Sequence, residues 1–144
     1  MKIAIGTDDK KTIHKGHFGD SRHYLVFEIL NAKVVARELR ENAHTRYEKG
    51  MECHGQPQGI IELLQDCSIF MGRSFEKRSL QTIKYRGIDC ILTSIEDIDW
   101  AVSSYLDGKD DGFHYYDRQE KDFIPCEART FLNSDENKYR NLPI

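Results

Sequence analysis

The sequence predicts an α/β fold, a mixed five-stranded sheet covered by helices on both faces, and three observations carry that expectation. Strand-like segments open the chain and later alternate with helix-like ones, in the order β-β-β-α-β-α-β-α. The first run, Ile3-Ala4-Ile5, is apolar at successive positions, the pattern of a strand buried between two layers. Two strand candidates, His23–Ile29 and Lys33–Leu39, are separated only by Leu30-Asn31-Ala32, which demands an antiparallel hairpin.

Lys2–Thr7 reads as the central strand and ends in Thr7-Asp8-Asp9. A polar loop follows from Lys10 to Arg22, with His14, Gly16, His17, Phe18 and Gly19. The hairpin comes next. From Arg40 to Gln56 the chain is polar, with Gly50 and Gly55 and no periodicity, a long loop of the functional kind. Pro57 suits the first turn of a helix, where its missing N–H costs nothing. Ile60, Ile61, Leu63 and Leu64 then give that helix its apolar stripe. Cys67–Met71 is a short strand ended by Gly72, and Ser74–Arg86 a second helix, with Phe75, Leu80 and Ile83 inward and Gly87 as its stop. Ile88–Leu92 is the next strand. Thr93-x-x-Glu96 has the pattern of a capping box for a third helix that carries Ile98, Val102, Tyr105 and Leu106 and closes at Gly108. The hairpin at one side and right-handed crossovers at the other give the strand order 3-2-1-4-5, an RNase H-like arrangement.

Residues 109–144 mix acidic side chains with Tyr115, Tyr116, Phe123, Ile124, Phe131 and Leu132. So aromatic a stretch should pack on the domain or on a partner subunit rather than hang free. The division expected is thus a domain over 1–108 and an extension over 109–144.

A chain of 144 residues holds one domain with a real core, and 39% hydrophobic against 31% charged residues is a globular balance. The net charge of −3, with no clustered basic face, argues against nucleic acid as a partner. No apolar run is long enough to cross a bilayer, and Met1–Gly6 runs into strand-like sequence without a signal-peptide core. A cytoplasmic location is expected. The four cysteines, Cys53, Cys67, Cys90 and Cys126, form no C-x-x-C pair and read as thiols in a reducing compartment. Cys67 and Cys90 fall at apolar strand candidates, where a free cysteine is an inert core residue. Cys53 differs, because it lies in a polar stretch with Gly50 and Gly55.

The segments Met1–Asp9, His17-Phe18-Gly19 and Tyr24-Leu25-Val26-Phe27 resemble the opening of the nitrogenase iron–molybdenum cofactor biosynthesis family, the NifX-like and NifB C-terminal-like proteins. Glu41-Asn42 with His44, His54-Gly55, Gly59–Leu64, Asp66-Cys67, Gly87-Ile88 and Ile95–Ile98 extend the likeness in order over about residues 1–108. The resemblance implies an RNase H-like three-layer fold. It also implies non-enzymatic binding or carriage of an iron–sulfur or iron–molybdenum cluster in cofactor assembly or storage, related to nitrogen fixation. The partners it implies are cluster donor and acceptor proteins, and a homo-oligomer is open. The sequence departs from the family at Gly72-Arg73-Ser74-Phe75, where one glycine stands for a glycine-rich turn, and at Cys53-His54-Gly55, where a His-Gly-rich loop is reduced.

The same resemblance points to Cys53, His54 and His17 as metal ligands, with His44 as a further cofactor-binding residue. Thiolate and imidazole are the donors that iron–sulfur and zinc sites use. His17 follows the carboxyl end of the first strand, the usual place for a ligand crevice in open α/β sheets. Without a cluster, Cys53 and His54 are solvated loop residues, and His17 makes a local hydrogen bond while Phe18 anchors its loop. Two other functions stay open on the residues alone. One is a metal-dependent hydrolase or nuclease using Asp8 and Asp9, which two-metal chemistry would require to have further carboxylates nearby. The other is an interaction module without a cofactor.

Overall fold

The computed structural model describes residues 1–43, 57–109 and 111–126. The elements are β1 (Lys2–Thr7), a single 3₁₀ turn (Phe18–Asp20), β2 (His23–Leu30), β3 (Lys33–Glu41), α1 (Pro57–Leu63), β4 (Ile69–Gly72), α2 (Lys77–Tyr85), β5 (Asp89–Thr93), α3 (Ile98–Leu106), β6 (Phe113–Asp117) and β7 (Asp122–Pro125). The strands form one mixed sheet of order β3-β2-β1-β4-β5-β6-β7. β1 pairs antiparallel with β2 and parallel with β4, and β4 pairs parallel with β5.

The sheet has seven strands where five were expected. The order of the first five is as expected, and a hairpin beyond residue 109 adds two more, β6 antiparallel to β5 and β7 antiparallel to β6. Its aromatics obey the two-residue period of a strand. Phe113 and Tyr115 enter one core, whereas Tyr116, with Phe123 opposite it on β7, packs against the other. The runs are only five and four residues long and are bounded by Asp117 and Asp122, so they read from sequence as a charged, aromatic tail.

Two cores lie on opposite faces. Ile3, Ile5, Phe27, Met71 and Ile91 meet Ile98, Ala101 and Val102 of α3 on one side. Ala4, Val26, Phe70 and Cys90 meet Ile60, Ile61 and Leu64 from α1 and the turn after it, and Leu80 and Ile83 of α2, on the other. Ile3, Ala4 and Ile5 are fully buried, as two-sided cover requires.

The helix stops work as expected. Gly87 (φ +79°) follows α2 and Gly108 (φ +76°) follows α3, both in the left-handed region that a Cβ disfavours. The expected capping box does not form. Thr93 is the last residue of β5 and is buried, and its hydroxyl accepts from the Ile95 amide at 3.1 Å. The cap of α3 is Asp97, whose carboxylate accepts from the Trp100 amide at 2.8 Å. The second helix also begins later than expected, at Lys77, because Ser74 is held by the loop before β2.

Candidate functional site

The carboxyl ends of β1, β4 and β5 lead into the loops of residues 8–22, 73–76 and 94–97. In the first loop, Asp9 closes the turn after β1. Its carboxylate accepts from the amides of Lys11 (2.9 Å) and Thr12 (2.7 Å) and from the Thr12 hydroxyl (2.8 Å). These bonds, the Thr12 amide foremost, hold its carboxyl well below the usual carboxylate range. Asp8 accepts from the Arg22 amide at 3.0 Å and lies 2.7 Å from His14 Nδ1. Both carboxylates therefore serve the loop itself, the arrangement expected of an Asp-Asp turn rather than of a two-metal pair. Among the described residues, no three His, Cys, Asp or Glu side chains converge where they could hold a metal ion.

The His17-Phe18-Gly19 segment is fixed from every side. The Phe18 ring is buried, stacked on Phe70 (centroids 4.8 Å, planes 13° apart) and on Phe75 (5.4 Å, 20°), with Tyr24 tilted beside it at 4.9 Å. Its amide donates to the Ser74 carbonyl at 2.8 Å. Its carbonyl accepts from the Tyr24 hydroxyl at 2.7 Å and the Ser21 hydroxyl at 2.8 Å. Burial raises the Tyr24 phenol's pKa, which keeps it protonated and donating. Ser21 packs so tightly on β1 that a Cβ at Gly6 would lie 2.0 Å from its Oγ. Asn42, at the end of β3, donates to the carbonyls of Gly19 (3.0 Å) and Ser21 (2.8 Å) and to the Tyr24 hydroxyl (3.3 Å).

On this rigid base His17 is exposed to solvent. Its Nδ1 lies 2.9 Å from the Ser74 hydroxyl. Its Nε2 has no hydrogen-bond partner among the described residues. An imidazole whose Nδ1 is tied to an oxygen presents Nε2 outward, as metal-ligating histidines do. Beside it opens a pocket of about 20 Å³, lined by His17, Phe18, Asp20, Ile60, Phe75 and Ser79 among others, with room for about one water. Ile60 belongs to the first turn of α1, so the pocket joins the loop after β1 to the helix that follows residue 56.

His44, Cys53 and His54 lie outside the described residues. Of the expected ligands His17 is the one the structure describes. The other thiols are poor donors. Burial pushes the Cys67 thiol up to about 12, helped by the Asp66 carboxylate beside it, and raises that of Cys90 further. Cys126 is buried in the α3-side core. Ser74, Tyr24, Gly6 and Asn42 are the parts of this site that sequence reasoning did not single out. Gly6, Tyr24 and Asn42 stand within the family-like segments and Ser74 at a departure from them, each without a role of its own there.

The family model described as dinitrogenase iron-molybdenum cofactor matches residues 1–108. The uncharacterized protein MJ0580 of Methanocaldococcus jannaschii is 24% identical over 109 residues, 76% of this chain and 88% of its own length. The crystal structure of PH0822 superposes with a TM-score of 0.60 at 21% identity, covering 75% of this chain and 92% of the other. The apo form of the orange protein from Desulfovibrio gigas superposes with a TM-score of 0.59 at 18% identity, covering 75% and 88%. At such identities the superpositions show a common fold.

Proposed function

The chain belongs to the dinitrogenase iron-molybdenum cofactor family, and from that membership we propose that it binds and carries an iron–sulfur or iron–molybdenum cluster as cargo during cofactor assembly or storage. The observation that supports this most directly is the presentation of His17, exposed, with Nδ1 tied to Ser74 and Nε2 unpaired among the described residues, on a loop clamped by Phe18. The pocket beside it is water-sized, so a cluster would lie across its mouth rather than inside it.

In this reading Cys53 supplies a thiolate, and His54 and His17 supply imidazoles, with His44 a further contact. Residues 1–108 are the cluster-binding unit, and 109–144 an extension packed on it or on a partner subunit. The order β3-β2-β1-β4-β5, with an antiparallel hairpin on one side and parallel crossovers on the other, supports an RNase H-like assignment. The partners are donor and acceptor proteins of the reducing cytoplasm. Among the described residues no helix is long and apolar enough to cross a membrane.

Anaerobic reconstitution with iron and sulfide, and transfer of a preformed cluster, test the reading by visible absorption. Cys53→Ala should abolish most of the absorption, His54→Ala and His17→Ala should weaken it, and Cys90→Ala should leave it intact. Absence of binding by either route would overturn the proposal. Equal loss from Cys53→Ala and Cys126→Ala would instead implicate the tail as a second ligand arm.

A further inference from the structure

The aromatic stack under His17 does not end within residues 1–108. Phe75 lies in the loop between β4 and α2, and among the described residues its ring has two aromatic neighbours. One is Phe18, stacked at 5.4 Å. The other is Phe123 of β7, tilted by 32° with centroids 5.8 Å apart. Phe123 is itself braced edge-on by Tyr116 of β6 at 5.7 Å and 68°. The row Tyr116–Phe123–Phe75–Phe18 therefore runs from the added hairpin to the residue next to His17. Gly72 of β4 borders the same pair, where an added Cβ would lie 3.3 Å from the Phe18 ring and 3.5 Å from that of Phe75.

We propose that Phe123 is a positioning residue for the His17 site, holding Phe75 against Phe18 and so fixing the backbone that presents the imidazole. The chemistry is that of ring packing. Aromatic pairs at such separations contribute about 0.5–1.5 kcal/mol each beyond the area they bury. Phe75 follows Ser74, whose carbonyl accepts from the Phe18 amide and whose hydroxyl meets His17 Nδ1. Loosening Phe75 loosens both bonds. The hairpin beyond the family-matched region thus acts as a buttress for a site within that region, and the effect is independent of what the site binds.

Ile124 is the built-in control. It is the next residue on β7, faces the α3-side core, and has no place in the aromatic row. Amide exchange of Phe18 and the ring nitrogen signals of His17, followed by NMR on the full chain without metal, separate a positioning role from a general one. Phe123→Ala should speed Phe18 amide exchange about tenfold more than Ile124→Ala does, as a local opening would. It should also shift the His17 signals, which Ile124→Ala should leave in place. Phe123→Leu should give an intermediate result, and should Phe123→Ala fail to fold, Phe123→Leu against Ile124→Ala decides. Equal acceleration at Phe18 in the two variants, or unmoved His17 signals in Phe123→Leu, would overturn the proposal.

Discussion

The amide of Phe18 donates to the carbonyl of Ser74 across 2.8 Å, joining the loop after β1 to the loop after β4 although the two residues are far apart in sequence. The Phe18 ring is 3% exposed and in contact with Tyr24, Phe70 and Phe75. Phe18→Ala leaves a ring-sized cavity at this junction and should lower stability by about 3–5 kcal/mol, by the measure of buried Phe→Ala changes elsewhere. Chemical denaturation checks this. A loss under about 1 kcal/mol would mean that the ring is not a packing anchor.

The hairpin between β2 and β3 turns on Asn31 (φ +53°) and Ala32 (φ +59°), both in the left-handed region. Two such residues make the type I′ turn that suits the twist of the strands, for which Asn-Gly is the preferred pair. Ala32 carries a Cβ where none is wanted. Ala32→Gly should raise the midpoint of denaturation, through a gain in stability of about 0.5–1 kcal/mol after the greater freedom of glycine in the unfolded chain is subtracted. A destabilised Ala32→Gly would be the contrary result.

Asp66, between α1 and β4, is held by Arg40 of β3 through two bonds of 2.7 Å and by Lys2 of β1 at 3.0 Å. The Arg40 guanidinium also donates to the Leu63 carbonyl at the end of α1 at 3.0 Å. Arg40 foremost, and then Lys2, pull the Asp66 carboxyl well below its usual range. A carboxyl lowered on folding stabilises the protein above its unfolded pKa of about 3.9, and that contribution is lost as pH falls toward the folded value. Asp66→Asn should therefore reduce stability at pH 7 and flatten its decline below about pH 4. The effect is moderate, since the carboxylate is 39% exposed and solvent screens the pair. Parallel acid-unfolding curves for the two proteins would count against it.

Thiol accessibility should divide the cysteines. With the Cys67 thiol at about 12 and that of Cys90 higher still, both buried, neither forms appreciable thiolate at pH 8. Alkylation of the native protein followed by peptide mass spectrometry should leave both unmodified until denaturant is added. Modification of Cys90 at the rate of a free thiol would contradict its place in the core.

The central strand and the first hairpin were legible because their patterns are local. Ile3-Ala4-Ile5 needs two covering layers, and Leu30-Asn31-Ala32 is too short for anything but a hairpin turn. β6 and β7 were not, since two short aromatic runs gain strand character only by pairing with β5. His17 was singled out by the family-like His17-Phe18-Gly19 segment and its place after the first strand. Ser74 and Asn42 were hidden for the opposite reason. Each is an ordinary polar residue whose role arises when strands remote in sequence bring it to Nδ1 of His17 or to the carbonyl of Gly19. Thr93-x-x-Glu96 misled for a similar cause, its hydroxyl being drawn into the end of a strand that the pattern places in a turn.

Asn42 donates to Gly19, Ser21 and Tyr24 at the point where the chain leaves β3 toward residue 44. One side chain thereby ties the end of β3 to the loop that carries His17. Its side chain is buried, so releasing it would leave the Gly19 and Ser21 carbonyls without these donors. Asn42→Ala should therefore loosen the turn under His17 while the strands stay paired, read as faster exchange of the Ser21 amide than of the amides of β1.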